Sequence, residues 1–225
     1  MLVTSRSFAE YVAFFGLTSQ DLQHRVLDCS AGASGFAAVA AARGAQVTAI
    51  DPAYALPRQQ LVDQAKASLR SGNTIIAEHD ARFSWAWYGP PVRRDVLRRD
   101  ALEAFLADLR RPPGRYLAAA LPALPLADRS FDLALCSHLL FTWSDQLDQD
   151  WHVQALRELL RVAAEVRVFP LLRQGNGAAV PFLPALLDIL RAQGCRAELV
   201  PVDYEFQVGG NRMLRVCGPA ASSVG

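Results

Sequence analysis

Lysine is almost missing from these 225 residues: Lys66 is the single example, and arginine carries the rest of the positive charge. That bias reflects base composition more than function. Charge of one sign is missing too, since 23 basic residues face 22 acidic ones and leave a formal net charge of +1. Bulk electrostatics therefore point to neither a nucleic acid nor a membrane surface. Cysteine is sparse and unordered. Cys29, Cys136, Cys195 and Cys217 show no C-x-x-C spacing, and all four are expected as reduced thiols in a cytoplasmic protein. His24, His79 and His152 have no metal-like spacing, so no metal is expected. No apolar run is long enough to span a bilayer, and the opening residues do not place a basic region before a long apolar core. Internal repeats, low-complexity tracts and a Ser/His/Asp nucleophile elbow are also missing.

What is present reads as one domain, long enough to bury most of its apolar surface. Phe8, Val12 and Phe15, with Tyr11 beside them, mark the face of an opening helix, and Thr18 or Ser19 is a candidate cap for a short one after it. Strands are expected at 25–29, 46–50, 115–119, 131–137 and 165–169. Phe131 to Ser137 is apolar on both faces, as a buried parallel strand is. Helices are expected over about 35–43, from Leu56 to a stop at Ser71-Gly72, over 149–161 and over 182–193. Two last strands, 197–206 and 212–217, joined by a short glycine turn, form an antiparallel hairpin. Residues 73–114 interrupt the alternation with the aromatics Phe83, Trp85, Trp87 and Tyr88, Gly89-Pro90-Pro91, a charged helix over about 92–109, and Pro112-Pro113-Gly114. They read as an insertion covering one end of the sheet. The fold class is α/β, a three-layer sandwich with a seven-stranded mostly parallel sheet, a C-terminal antiparallel hairpin and a helical insertion between strands two and three.

Residues 26–36, VLDCSAGASGF, carry the strongest functional signal. A β-branched strand ends at Asp28, a small-residue loop follows, and an alanine-rich helix opens; Asp51 closes the next strand about nineteen residues past Gly32. That unit binds adenosine-containing cofactors. A dinucleotide wants G-x-G-x-x-G, but only Gly32 and Gly35 are glycine here. Asp28 ahead of the loop suits an ammonium better than a pyrophosphate. The charges fit S-adenosylmethionine, with its amino group near Asp28, its carboxylate near the loop amides and its ribose diol on Asp51.

VLDCSAGASGF, AIDPAY, LPLADRSFDLALCSHLLF and YEFQVGGNRML together resemble a bacterial group of class I S-adenosylmethionine-dependent methyltransferases, over nearly the whole chain. The resemblance implies that Asp28, Cys29, Ser30, Ala31 and Gly32 lie along the methionine part. It places Asp51 on the ribose, Pro52 against the adenine and Leu121 at the base, with Ser137 and His138 facing the methyl. Two departures stand out. The glycine loop of that superfamily reads Ser30-Ala31-Gly32-Ala33-Ser34, and the acid often found after strand three is Ala120.

Several residues admit two readings. His138 is a candidate general base or a structural histidine that orients its loop. Trp85 and Tyr88, with Phe83 and Trp87, either line a substrate pocket or anchor the insertion. Arg93, Arg94, Arg98, Arg99, Arg110 and Arg111, interleaved with acids, read as a solvated, salt-bridged helix face, not a nucleic-acid footprint. No Asn-Pro-Pro-aromatic tetrad follows strand four, which argues against nucleobase amines as acceptors. The expected activity is methyl transfer to a small molecule. A protein or RNA methyltransferase and a non-catalytic cofactor-binding protein are the alternatives.

Overall fold

A computed structural model describes residues 3–78, 82–111, 114–174 and 176–219. Seven strands, β1 (Arg25–Cys29), β2 (Gln46–Ile50), β3 (Tyr116–Leu117), β4 (Phe131–Ser137), β5 (Ala163–Phe169), β6 (Arg196–Pro201) and β7 (Arg212–Cys217), form one sheet in the order β3-β2-β1-β4-β5-β7-β6. The first five pair in parallel, and β7 runs antiparallel to both β5 and β6. Strand order reverses between β1 and β4, and a doubly wound sheet opens a crevice beyond the carboxyl ends of its strands at that point.

Alternation along β4 sorts the core into two layers. Ala134 and Cys136 pack with Leu156 and Leu159 of α5 (Gln149–Val162) and with Leu186 and Leu190 of α6 (Leu183–Ala192). Leu133 and Leu135 pack on the other side with Tyr11 and Phe14 of α1 (Phe8–Phe15) and Phe36 and Ala40 of α2 (Phe36–Ala42). Helices α3 (Arg58–Glu78) and α4 (Pro91–Asp108) complete the second side. A capping box starts α1: Ser7 Oγ accepts from the Glu10 amide, and Glu10 Oε2 accepts from the Ser7 amide at 2.7 Å. Gly16, at φ 55°, ends it.

Several features differ from the sequence reading. Helix α3 runs through Ser71-Gly72 to Glu78; one interior glycine costs about 1 kcal/mol relative to alanine and does not stop a helix by itself. The third strand shrinks to Tyr116–Leu117, because at the sheet edge only β2 offers partners. The buried face of α1 is Tyr11, Phe14 and Phe15 with Glu10, while Phe8 and Val12 are half-buried. The sixth strand ends at Pro201, and the hairpin connection is long: residues 202–211 leave the sheet, with Val202 N bonded to the Asn211 carbonyl at their base. Tyr204 and Phe206 alternate like strand residues but bury themselves among the aromatics of the α1 side. Pro112 and Pro113 lie outside the described residues.

Close approach of α2 to α4 rests on Gly35. A Cβ there would meet the Ala101 Cα and carbonyl oxygen at 2.8 Å, both backbone atoms that cannot swing away. We expect Gly35→Ala to destabilise the protein by about 1–3 kcal/mol through overpacking, read as a lowered midpoint in thermal unfolding. Gly114→Ala, with nothing within 4 Å, is the control and should unfold like wild type.

Candidate functional site

A cavity of about 650 Å³ opens at the carboxyl edge of the sheet. Each parallel strand contributes residues just past its end: Ser30 and Gly32 after β1, Asp51 and Pro52 after β2, Ala120 and Leu121 after β3, Ser137 and His138 at β4, and Phe169 and Pro170 at β5. The facing wall comes from elsewhere. It is built by Arg94 and Arg98 from α4, Phe83, and Tyr204, Phe206 and Gln207 from the hairpin connection, while Thr4 and Arg6 of the N-terminal segment lie against the loop after β1, their carbonyls taking the Ala33 and Gly35 amides. Trp143, Leu147 and Trp151 close one side.

The β1–β2 side is acidic and tightly built. Gly32 sits at φ 57°, and a Cβ on it would press on the Thr4 carbonyl oxygen at 3.1 Å. Its amide donates to Asp51 Oδ2 at 3.0 Å, and the Ala53 amide donates to Asp51 Oδ1 at 2.9 Å. Asp51 lines the cavity but is only 6% exposed, and this burial raises its pKa against the two amide bonds. Ser30 holds φ 58° without being glycine, a conformation that costs an L side chain roughly 1–2 kcal/mol. Asp28 is wholly buried. Its Oδ1 accepts from the Tyr11 hydroxyl at 2.9 Å and its Oδ2 has no partner. Burial, with a smaller push from Asp51, raises the Asp28 pKa to about 8 against the Tyr11 bond.

His138 lies at φ 55° with its amide bonded to the Phe169 carbonyl. Nδ1 is 2.8 Å from Ser137 Oγ, and the ring leans on Phe14 and Phe169 with centroids 5.2 and 5.8 Å away. Burial, then the charges of Arg6 and Arg98, hold its pKa well below the usual histidine range. The imidazole is neutral at physiological pH.

The facing wall is basic and is organised by Glu10. This carboxylate, 0% exposed, takes Arg98 Nη2 at 2.8 Å, Arg6 Nη1 at 3.7 Å and the Tyr88 hydroxyl. Burial works to raise its pKa, but Arg98 and then Arg6 outweigh that, with the Ser7 and Tyr88 bonds, and the net shift is downward. Arg98 also donates from Nη1 to the Ser5 carbonyl at 2.9 Å. Tyr88 and Tyr204 share a hydroxyl contact of 2.9 Å. Arg6 is pushed down to about 10 by burial and by Arg98.

The structure thus brings Ser30, Gly32, Asp51, Pro52, Leu121, Ser137 and His138 to one cavity. Asp28, Cys29 and Ala31 are buried and do not form its wall. Trp85 and Tyr88 do not line it either: Tyr88 is fully buried in the Glu10 network, and Trp85 stands edge-on to Phe206 at 5.2 Å. Of that aromatic group, Phe83 reaches the cavity. The reading of these arginines as a solvated face holds for Arg93 and Arg99 on α4 and for Arg110 and Arg111 beyond its end, and fails for Arg94 and Arg98, which are buried. A signal was available, because 94, 98, 101, 102, 105 and 108 share one helical face and Ala101, Leu102 and Phe105 mark it as inward. Arg6, Glu10 and Tyr204 carried no comparable pattern. Among the described residues no group of three or more His, Cys, Asp or Glu side chains is placed to hold a metal; His79 lies outside them. None of the described helices is long and apolar enough to cross a membrane, and the four cysteines are free thiols.

No protein-family model matches the chain. It is 27% identical over 218 residues to the uncharacterized protein MJ0045 of the archaeon Methanocaldococcus jannaschii, covering 95% of this chain and 94% of that one. Similar solved structures include magnesium protoporphyrin IX methyltransferase from Synechocystis PCC 6803, with bound S-adenosylmethionine (12% identity, 94% of this chain and 76% of that one, TM-score 0.46). A second is an S-adenosylmethionine-dependent methyltransferase from Aquifex aeolicus (18%, 92% and 84%, TM-score 0.40). A third is 1,6-didemethyltoxoflavin-N1-methyltransferase from Burkholderia thailandensis, with S-adenosylhomocysteine (16%, 95% and 76%, TM-score 0.45). At these identities the likeness is one of fold.

Removing one partner of a buried charge cluster costs about 3–5 kcal/mol, because the other charges stay behind. Glu10→Gln should lower stability by that amount in urea unfolding at pH 7. Asp188→Asn, at a side chain 78% exposed, should change it little. Because the Glu10 pKa is depressed on folding, its contribution is full above the ordinary carboxyl range and fades on acidification. A Glu10→Gln loss below about 1 kcal/mol would be too small for a pair of this kind.

Proposed function

We propose that this protein is a methyltransferase that takes its methyl group from S-adenosylmethionine and delivers it to a small molecule. The observation that carries the reading is Asp51, held by the Gly32 and Ala53 amides at the edge of the cavity beside the switch point of the sheet. Each carboxylate oxygen has a lone-pair site beyond the one amide bonded to it, which suits a ribose diol. The residues present fit the rest of the donor. Ser30, Ala31 and Gly32 would take the methionine part, with Cys29 behind them, and Pro52 and Leu121 the adenine. Asp28 lies behind the cavity wall and would draw the ammonium toward its Oδ2, which is buried without a partner; such an orphan calls for an explanation. The donor supplies a methyl on a positively charged sulfonium, open to in-line displacement. Ser137 and His138 then face the acceptor. If Nδ1–H donates to Ser137 Oγ, the Nε2 lone pair is left to receive the acceptor's proton. The depressed pKa keeps this nitrogen available but makes it a weak base. Alignment is the larger contribution, about 7–11 kcal/mol, against roughly 3–5 kcal/mol for a base worth 10²–10⁴-fold. A concave cavity with Trp143, Leu147 and Phe169 in its wall suits a small acceptor.

Two measurements test the donor site. Asp51→Ala should weaken S-adenosylhomocysteine binding about tenfold or more, the worth of a charge-assisted hydrogen bond; an unchanged dissociation constant removes Asp51 from the site. Because the Asp28 carboxyl is raised to about 8, it is mostly protonated at pH 7, and an ammonium beside it favours the ionised form. Donor binding at pH 7 should therefore release a proton. Calorimetry in buffers of different ionisation enthalpy should detect it, and Asp28→Asn should abolish it. Buffer-independent heats in the wild type would show that no ammonium reaches Asp28.

A further inference from the structure

We infer that Arg6 holds the carboxylate of the methyl donor, and that the backbone amides of the loop after β1 do not. The inference rests on reading this cavity as the donor site and assigns one end of that donor to a residue no motif marks. Charge pattern in the sequence puts the carboxylate at the loop amides, but those amides are taken. Every one from Ala31 to Phe36 has an acceptor within the protein. Ala31 donates to the Ile50 carbonyl at 3.1 Å, Gly32 to Asp51 Oδ2 at 3.0 Å and Ala33 to the Thr4 carbonyl at 3.1 Å. Ser34 donates to the Ala31 carbonyl at 3.1 Å, Gly35 to the Arg6 carbonyl at 2.8 Å and Phe36 to Ser34 Oγ at 3.0 Å. A carboxylate arriving here would displace one of these acceptors, and exchanging one hydrogen bond for another gains little.

Arg6 has what the loop lacks. Its backbone is fixed to the loop, since its carbonyl accepts the Gly35 amide and the Ser34 hydroxyl, and the residue lines the cavity. Among the described residues its guanidinium has no hydrogen-bond acceptor. It approaches Glu10 at 3.7 Å, too long for a hydrogen bond. It lies 5.6 Å from the centre of the Phe14 ring, and its Nε is buried without a partner. Glu10 is engaged more closely by Arg98 at 2.8 Å, by the Ser7 amide and by the Tyr88 hydroxyl. Arg98, by contrast, has both Glu10 and the Ser5 carbonyl. A largely buried guanidinium with no acceptor calls for an explanation, and a carboxylate matches its planar fork in two-point contact. Burial and Arg98 push the Arg6 pKa down to about 10, and an anion beside it would act the other way. Asp28, just ahead of the same loop, carries the unpartnered Oδ2. The donor's ammonium and carboxylate leave the same carbon atom, so an unmatched acid and an unmatched cation beside one loop complement that zwitterion.

The test is calorimetric titration of S-adenosylhomocysteine and of its decarboxylated analogue, in which hydrogen replaces the carboxyl group. The wild type should bind S-adenosylhomocysteine about tenfold or more tightly than the analogue. Arg6→Gln should erase that preference by weakening S-adenosylhomocysteine alone, with the affinity for the analogue unchanged, and Arg6→Lys should retain part of it. A merely structural role for Arg6 would weaken both compounds alike. That result overturns the inference, as does a wild type that binds the two alike or an Arg6→Gln variant that keeps the full preference; in each of these cases S-adenosylhomocysteine still binds the wild type and the donor reading stands. Should Arg6→Gln fail to fold, Arg6→Lys decides: a preference as large as the wild type's overturns the inference. If neither compound binds the wild type, the donor reading falls and the inference falls with it.

Discussion

The buried carboxylate of Glu10 ties together the segments that cover the sheet edge. The parallel sheet supplies only the floor of the cavity and one wall; the rest is assembled from the N-terminal segment, α4, the aromatic insertion and the long hairpin connection. A short antiparallel bridge at Phe83 and Gln207 joins the insertion to the hairpin connection, and side chains tie all four pieces together. They meet at a single carboxylate, which caps its own helix through Ser7, pairs with Arg98 of α4 and Arg6, and accepts the Tyr88 hydroxyl that in turn contacts Tyr204. A buried ion pair is a weak source of net stability but a strong source of specificity when its partners come from different elements. Here it determines which segments face the sheet edge.

That arrangement gives the cavity two electrical ends. Asp51 lines one end at β2, with Asp28 buried near it in β1, and burial keeps both carboxyl groups harder to ionise than usual. Arg94 and Arg98 of α4 line the other. His138 shares the lining and is kept neutral by burial and by Arg6 and Arg98. Low local dielectric makes such charges count for more than they would in water.

Much of the sheet was legible in the sequence, and the reason is local. Val26–Cys29, Gln46–Ile50 and Phe131–Ser137 are short apolar runs bounded by turn residues, and each became a strand with nearly those limits. The loop around Gly32 was legible because a positive φ and a close approach to Thr4 demand glycine. The other wall was not. Glu10 sits in an apolar helix where a lone acid reads as solvent-facing; Arg94 and Arg98 share the inward face marked by Ala101, Leu102 and Phe105, but exposed arginines beside them on the same helix obscured it. Tyr204 and Phe206 alternate as in a strand yet belong to a connection. In each case the deciding partner lies far away in sequence: Arg98 contacts Ser5 and Glu10, and Tyr88 contacts Tyr204. Local pattern carries no record of such pairings.

The most direct measurement of the central claim is a crystal structure of the protein with S-adenosylhomocysteine. Ribose hydroxyls are expected on the Asp51 carboxylate, the amino group toward Asp28, and the sulfur toward His138. A nucleoside bound elsewhere, or lying with its amino acid end on Arg94 and Arg98 and away from the Ser30–Gly32 loop, would contradict that claim.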